Sequence, residues 1–264
     1  MAPLRVCPTT CGGFSGSNIL GSHCQKILNL KGLFISISGG VYCMIYGQKK
    51  ELLLCLRWLD LSFSSRLMQT PNFTGMPKLE CLNLEKCSSL KKVHSSLGDC
   101  KNLIKLNLYC CERLESFPCV NVKSLEHLNL EGCQSLEKFP EILGRMKSKL
   151  EIKVKGIGIR EIPSSIIQHQ AYLTNLDLSI MEKLIALSSR IGMLKGLVKL
   201  DMLWCPKLKN FPEDIGDLEN LEELDASYTR ISQPPSSIVR LNKLKSLSFS
   251  GQCLEDGVSL CSLR

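Results

Sequence analysis

Apolar residues recur along the chain as the group L-x-x-L-x-L, beginning at Leu56, Leu79, Leu103, Leu125, Leu173, Leu197, Leu221 and Leu244, with a degenerate copy at Lys149. Successive starts lie 23, 24, 22, 24, 24, 24, 24 and 23 residues apart, a period that marks a structural repeat. Positions inside each copy are fixed as well. Leu79, Leu82, Leu84, Cys87, Leu90 and Val93 stand at offsets 0, 3, 5, 8, 11 and 14; Leu103, Leu106, Leu108, Cys111, Leu114 and Phe117 repeat the series, and so do Leu125, Leu128, Leu130, Cys133, Leu136 and Phe139.

The last two leucines of the group lie two apart, so they share one face of a short strand while the residues between them face water. Each copy therefore predicts one parallel strand. The cysteine at offset 8 stands where the chain turns away from that strand. Its small side chain, with a weak S–H donor, is expected to meet turn carbonyls and to staple neighbouring coils. The later apolar offsets turn inward, and proline often follows, as in Phe117-Pro118, Phe139-Pro140, Ile162-Pro163 and Phe211-Pro212. Proline fixes the backbone where no ladder partner is needed and leads into a short outer segment, either a helical turn or an irregular coil.

One copy cannot bury its own leucines, so the copies must stack. The predicted fold class is an α/β repeat: an open leucine-rich repeat solenoid, a horseshoe with a parallel sheet on the concave face. The array is expected over residues 56–258. A poorly ordered tail over 1–29 and an incomplete first repeat or apolar lead-in over 30–55 precede it, the latter because Leu30, Leu33 and Ile35 fit offsets 0, 3 and 5. Residues 259–264 are expected to be a tail.

The formal charge of +8 suggests nucleic-acid binding only until it is divided along the chain. Residues 1–55 carry five Lys and Arg against one Glu, and residues 56–264 carry 28 against 24, so the repeat array is close to balanced. A phosphate-binding surface is not its chief feature. Charge is nonetheless segregated within the array. Arg145, Lys147, Lys149, Lys153, Lys155 and Arg160 form a basic pole, while Glu213, Asp214, Asp217, Glu219, Glu222, Glu223 and Asp225 form an acidic one. Either pole is expected to be a solvated face or a docking site for an oppositely charged partner.

Fifteen cysteines are an odd number in a long chain; Cys87, Cys111, Cys133 and Cys205 share one repeat position, and no pair forms C-x-x-C. They read as reduced thiols in a cytosolic or nuclear compartment. The start of the chain lacks the order of a secretory signal. The uncharged stretch 32–48 is slightly short and rich in Gly and Ser for a membrane span. The four histidines show no metal-ligand spacing, G-x-S-x-G is absent, and no G-x-x-x-x-G-K-[ST] exists to cradle phosphates. Neither a cofactor, a metal nor a catalytic residue is expected.

Five segments make the resemblance specific: TPNFTGMPKLECLNLEKCSSL at 70–90, FPCVNVKSLEHL at 117–128, GIREIPSSI at 158–166, FPEDIGDLENL at 211–221 and PPSSIVRLNKL at 234–244. Over about residues 56–258 the chain resembles the leucine-rich repeat region of plant TIR-NB-ARC-LRR disease resistance proteins. That resemblance implies sensing of pathogen effectors inside the cell, directly or through a host guardee, and restraint of an NB-ARC nucleotide switch. The chain has neither that switch nor a TIR module, so neither activity is transferred to it, and a stop at Arg264 reads as truncation. The alternative is an extracellular leucine-rich repeat protein that binds ligands or inhibits; it requires a signal sequence and paired capping cysteines.

A sheet that lines a curved solenoid suits a protein partner better than a small molecule. The candidate partner-binding residues, read as facing outward from the strands, are Trp58, Asp60, Lys105, Tyr109, His127, Lys199, Asp201, Trp204, Glu222, Asp225 and Tyr228. The aromatic ones are the expected anchors.

Overall fold

A computed structural model describes residues 56–118, 124–139, 151–164 and 173–249, with Leu54, Ile167 and Gly251, and the backbone of three strands before them. Those three are β1 (Lys26–Leu30), β2 (Leu33–Ile37) and β3 (Met44–Ile45). They form an antiparallel sheet in the order β1-β2-β3, with Leu30 opposite Leu33. With two residues between them, β1 and β2 pair antiparallel, whereas a parallel partner needs a long crossover.

Nine further strands then follow the repeat. They are β4 (Trp58–Asp60), β5 (Cys81–Asn83), β6 (Lys105–Asn107), β7 (His127–Asn129), β8 (Glu151–Lys153), β9 (Asn175–Asp177), β10 (Lys199–Asp201), β11 (Glu223–Asp225) and β12 (Ser246–Ser248). Each occupies offsets 2 to 4 of its copy. All pair in parallel, in the five-stranded order β4-β5-β6-β7-β8 and the four-stranded order β9-β10-β11-β12. Register is strict: Leu59, Leu82, Leu106, Leu128 and Ile152 stand side by side, as do Leu176, Leu200, Leu224 and Leu247.

The two ladders are joined at the turn. The Gly156 N–H donates to the Ser179 carbonyl at 2.9 Å, and Glu161 bridges to Ala186. Behind the strands the predicted inward positions form one continuous core, including Leu79, Leu84, Leu103, Leu108, Leu197 and Leu221, all fully buried. The outer segments Ser95–Asp99, Ile191–Met193, Glu213–Asp217 and Ser236–Arg240 are 3-10 turns. No helix among the described residues is long and apolar enough to cross a membrane.

The offset-8 cysteines do what a short thiol donor can do. Cys87 donates to the Leu61 carbonyl (3.2 Å), Cys111 to Leu84 (3.1 Å), Cys133 to Leu108 (3.3 Å) and Cys205 to Leu178 (3.2 Å), each reaching offset 5 of the preceding coil. Burial pushes their acidity down: the pKa of Cys87 rises to about 11 and those of Cys133 and Cys205 to about 12, with Cys111 raised further still. All seven described cysteines are free thiols.

Two expectations follow. At pH 8 the native chain should leave these four thiols unalkylated by iodoacetamide, and urea should expose them to it, with peptide mass mapping as the readout. A folded pKa above the unfolded value of about 9 means that the unfolded chain ionises first. Stability is therefore intact below about pH 9 and should fall as pH rises through 11 to 12, which urea midpoints at pH 8 and pH 10.5 will register.

Four described coils carry another residue at this row: Ser64, Ile157, Met181 and Thr229 are all buried there, and none forms a thiol staple. Thr229 donates through Oγ1 to the Ala226 carbonyl of its own coil at 2.8 Å. In the coils of Ile157 and Thr229 the next inward residue arrives at offset 10, as Ile159 and Ile231, so the backbone after the turn takes a shorter path.

Candidate partner-binding surface

Side chains at offsets 2 and 4 lie on the outer face of each ladder, where only Cys81 and Asn83 of β5 are buried, and side chains at offset 3 enter the core except Leu247 on the edge strand β12. Trp58, Lys105, His127 and Lys199 occupy offset 2, on β4, β6, β7 and β10. Trp58 is 44% exposed. His127 Nδ1 lies 2.9 Å from Glu151 on the next coil, and Lys199 pairs with Glu223 at 3.1 Å, an interaction that raises the lysine pKa. The offset-2 row is therefore a line of outward side chains linked sideways from coil to coil.

Offset 4 has a second task. The Oδ1 atoms of Asp60, Asp201 and Asp225 accept the N–H two residues on, from Ser62 (2.9 Å), Leu203 (3.0 Å) and Ser227 (2.8 Å). Asn83, Asn107, Asn129 and Asp177 do the same. Short Asx side chains close such turns because they reach their own backbone two residues ahead. The preference for Asx at this offset thus has a structural cause, and each aspartate offers a partner only its second oxygen.

The candidates beyond the strand sit differently from the expectation. Tyr109 lies at offset 6, where its N–H donates to Asn107 Oδ1 at 3.1 Å and a hydrogen bond with Cys110 raises its pKa. Glu222 lies at offset 1 and pairs with Lys245 at 2.7 Å. Trp204 and Tyr228 lie at offset 7, on the turn itself rather than on a strand.

Offset 7 is left-handed in all nine coils. Phe63, Lys86, Cys110, Gly132, Gly156, Ile180, Trp204, Tyr228 and Gly251 have φ between 55° and 75°. The conformation lets the N–H turn back to the sheet: those of Phe63, Lys86, Cys110, Gly132, Gly156, Ile180 and Trp204 donate to the offset-6 carbonyl of the next coil at 2.7 to 3.0 Å. Residues other than glycine pay roughly 1–2 kcal/mol for this region. Sequence reading did not place this row, although the three glycines at one offset were its signal.

These side chains line the edge of the sheet. The Lys86 ammonium sits 5.4 Å from the Phe63 ring centre, and Trp204 stacks on Tyr228 at 4.9 Å with 21° between planes. Ile180 and Trp204 remain 45% and 40% exposed.

The geometry is that of a leucine-rich repeat sheet, and comparison with known proteins agrees. A family model described as the leucine-rich repeats of RPS4B-like disease resistance proteins matches residues 121–256. The chain belongs to that family. This leucine-rich repeat chain is 56% identical to TMV resistance protein N of Nicotiana glutinosa over 203 residues, which cover 77% of this chain and 18% of that protein. It is 38% identical to Disease resistance-like protein DSC1 of Arabidopsis thaliana over 207 residues, 78% of this chain and 16% of that one. It spans less than a fifth of the length of either relative. Among solved structures, a leucine-rich repeat protein of Leptospira interrogans aligns with a TM-score of 0.54 at 25% identity, covering 77% of this chain and 51% of that one. The repeat domain of the type III effector XopL, at 22% identity and TM-score 0.53 over 72% and 75% of the two chains, shows the same fold.

In this disease-resistance repeat the acidic pole read from the sequence is largely neutralised by neighbouring coils. Asp217 pairs with Arg240 (3.1 Å), Glu219 with Lys195 (3.0 Å), Glu222 with Lys245 and Glu223 with Lys199. Glu213 accepts from the Ser236 hydroxyl and the Ser237 N–H, and its pKa is lowered as these bonds and Arg240 outweigh its desolvation. A run of acids along the sequence is thus interleaved with bases 23 or 24 residues away, one period of the repeat. On the basic side, Lys155 pairs with Asp177 and Lys153 with Glu151, each at 3.8 Å; Arg145, Lys147 and Lys149 lie outside the described residues. Among the described residues no group of His, Cys, Asp and Glu could hold a metal ion.

Proposed function

We propose that these repeats serve an intracellular plant immune receptor as its protein-recognition surface, contacting a pathogen effector or a host guardee and restraining the receptor's NB-ARC nucleotide switch, with no reaction of their own. The observation that carries the reading is the in-register sheet edge: a row of outward side chains repeated coil by coil, from Trp58 to Ser246, in a chain of the disease-resistance family. Such a surface is broad and shallow and presents many side chains at once, which fits a protein and not a small ligand. The partners are proteins, not nucleic acid or membrane, and the compartment is the cytosol, with entry to the nucleus.

Co-expression with a matching TIR-NB-ARC fragment in leaf tissue tests the reading. The repeat chain should co-precipitate the fragment and lower the cell death that the fragment causes alone. Absence of association together with unchanged cell death would refute it.

A further inference from the structure

The left-handed offset-7 turn suits glycine, yet six of the nine coils carry another residue there, and in the second ladder three consecutive coils place isoleucine, tryptophan and tyrosine at it. A β-branched or bulky residue at positive φ is a genuine outlier. The strain is not offset by burial in the core, since Ile180 and Trp204 are exposed and Tyr228 is only half-buried. Backbone strain that brings large apolar groups to the surface is a mark of a functional position.

The neighbours define what such a position would hold. Asp177, Asp201 and Asp225 stand in register at the ends of β9, β10 and β11, three residues before Ile180, Trp204 and Tyr228. Among the described residues, Asp201 and Asp225 have one oxygen on the turn N–H and no ion pair or hydrogen bond on the other. Lys199, two residues before Asp201, bonds Glu223 and interacts with Asp201 and Asp177 only more weakly, through charge. The first ladder displays the matching arrangement within the chain itself, where the cation of Lys86 lies over the ring of Phe63 in the same row.

We propose that Ile180, Trp204 and Tyr228, with Asp201 and Asp225, form a docking edge for an extended basic segment of a protein partner. Tyr228 lies between Trp204 and Gly251 and holds the exposed Trp204 ring in place; an arginine of that segment lies against Trp204 and pairs with a free aspartate oxygen, while an adjacent apolar residue covers Ile180. Planar guanidinium stacks on aromatic faces and matches carboxylate geometry, which an ammonium does less well. Strands in a sheet are about 4.8 Å apart, so the three turns span roughly 10 Å, the reach of three or four extended residues. A purely apolar segment would bury the aspartates unpaired, at a cost in desolvation. This deepens the proposed function and rests on it.

The test uses the full chain and two labelled peptides, one of alternating arginine and leucine and one of alternating glutamate and leucine, with binding read by fluorescence anisotropy. The first peptide should bind and the second should not. Two double variants separate the edge from the fold. Trp204→Gly with Tyr228→Gly gives the turn its preferred residue, and Asp201→Asn with Asp225→Asn keeps the turn acceptor but removes the charge. Both should weaken the arginine peptide at least tenfold while Tm stays within a few degrees of the parent. Equal binding by the variants, or equal binding of the two peptides, would overturn the proposal. A glycine variant that melts much earlier yet binds normally would also overturn it, since the stack would then be structural. Co-precipitation of the TIR-NB-ARC fragment is scored in parallel. If it persists while no arginine peptide binds, this docking edge fails and the proposed function stands; if the peptide binds but the fragment never associates, the reverse holds.

Discussion

Gly158→Ala should destabilise the array by about 3 kcal/mol, at the upper end of the range for overpacking a close contact. Gly158 is buried, and a Cβ at that position would overlap the carbonyl oxygen of Gln134 on the preceding coil. The obstacle is backbone, so no rotamer change can relieve it. Its own N–H donates to the Cys133 carbonyl at 3.0 Å, which ties the two coils at the same point. Forcing them apart weakens the joint between the coil that bears β7 and the one that bears β8, close to where the first ladder hands over to the second. Stability in such an array is a sum of coil terms and nearest-neighbour interfaces. The loss should therefore appear as a lower urea midpoint, and as faster amide exchange in residues 125–160 before the rest. A variant with parental stability would show that the two coils are not so closely apposed.

The second large effect concerns one offset in two places. Leu200 and Leu247 both occupy offset 3 of their copies, and the sequence gives no ground for separating them. Leu200 is fully buried between Leu176 and Leu224, whereas Leu247 on β12 is 43% exposed. Leu200→Ala should cost about 3 kcal/mol, within the usual 2–5 for a buried leucine, because the neighbouring coils cannot close over the cavity. Leu247→Ala should cost under about 1 kcal/mol, as surface substitutions do. Denaturant midpoints of the two single variants give the comparison directly. Similar losses at both sites would mean that burial of offset 3 is uniform along the array.

Much of this protein was legible from period alone. Leucines at offsets 0, 3 and 5 placed each strand and its inward face, since a side-chain period of two allows only one face to be apolar. The cysteine at offset 8 was readable as a staple, since a buried S–H has few acceptors besides a nearby carbonyl. The candidate surface was less legible. Asp60, Asp201 and Asp225 were read as outward contacts, and they do lie on the outer face, but their first duty is to close a turn two residues ahead.

Trp204 and Tyr228 were singled out for their chemistry and placed on the wrong element, because a left-handed residue other than glycine leaves no mark in a hydrophobicity pattern. The acidic pole is weaker in space than along the chain: Lys195, Lys199, Arg240 and Lys245, distant in sequence, pair with four of its seven acids.

The sequence by itself determined the repeat, the strand positions, the parallel core and the absence of familiar catalytic motifs, since these rest on local spacing that every coil repeats. Only the tertiary structure decided which charges neutralise one another, which aspartates keep an oxygen to offer, how the left-handed turns gather aromatic side chains on one edge, and that Lys26–Ile37 pairs as a hairpin. The physical reason is that such features depend on what the neighbouring coil or strand brings within about 3 to 5 Å, a range over which hydrogen bonds, ion pairs and ring contacts act and to which a pattern along one chain is blind.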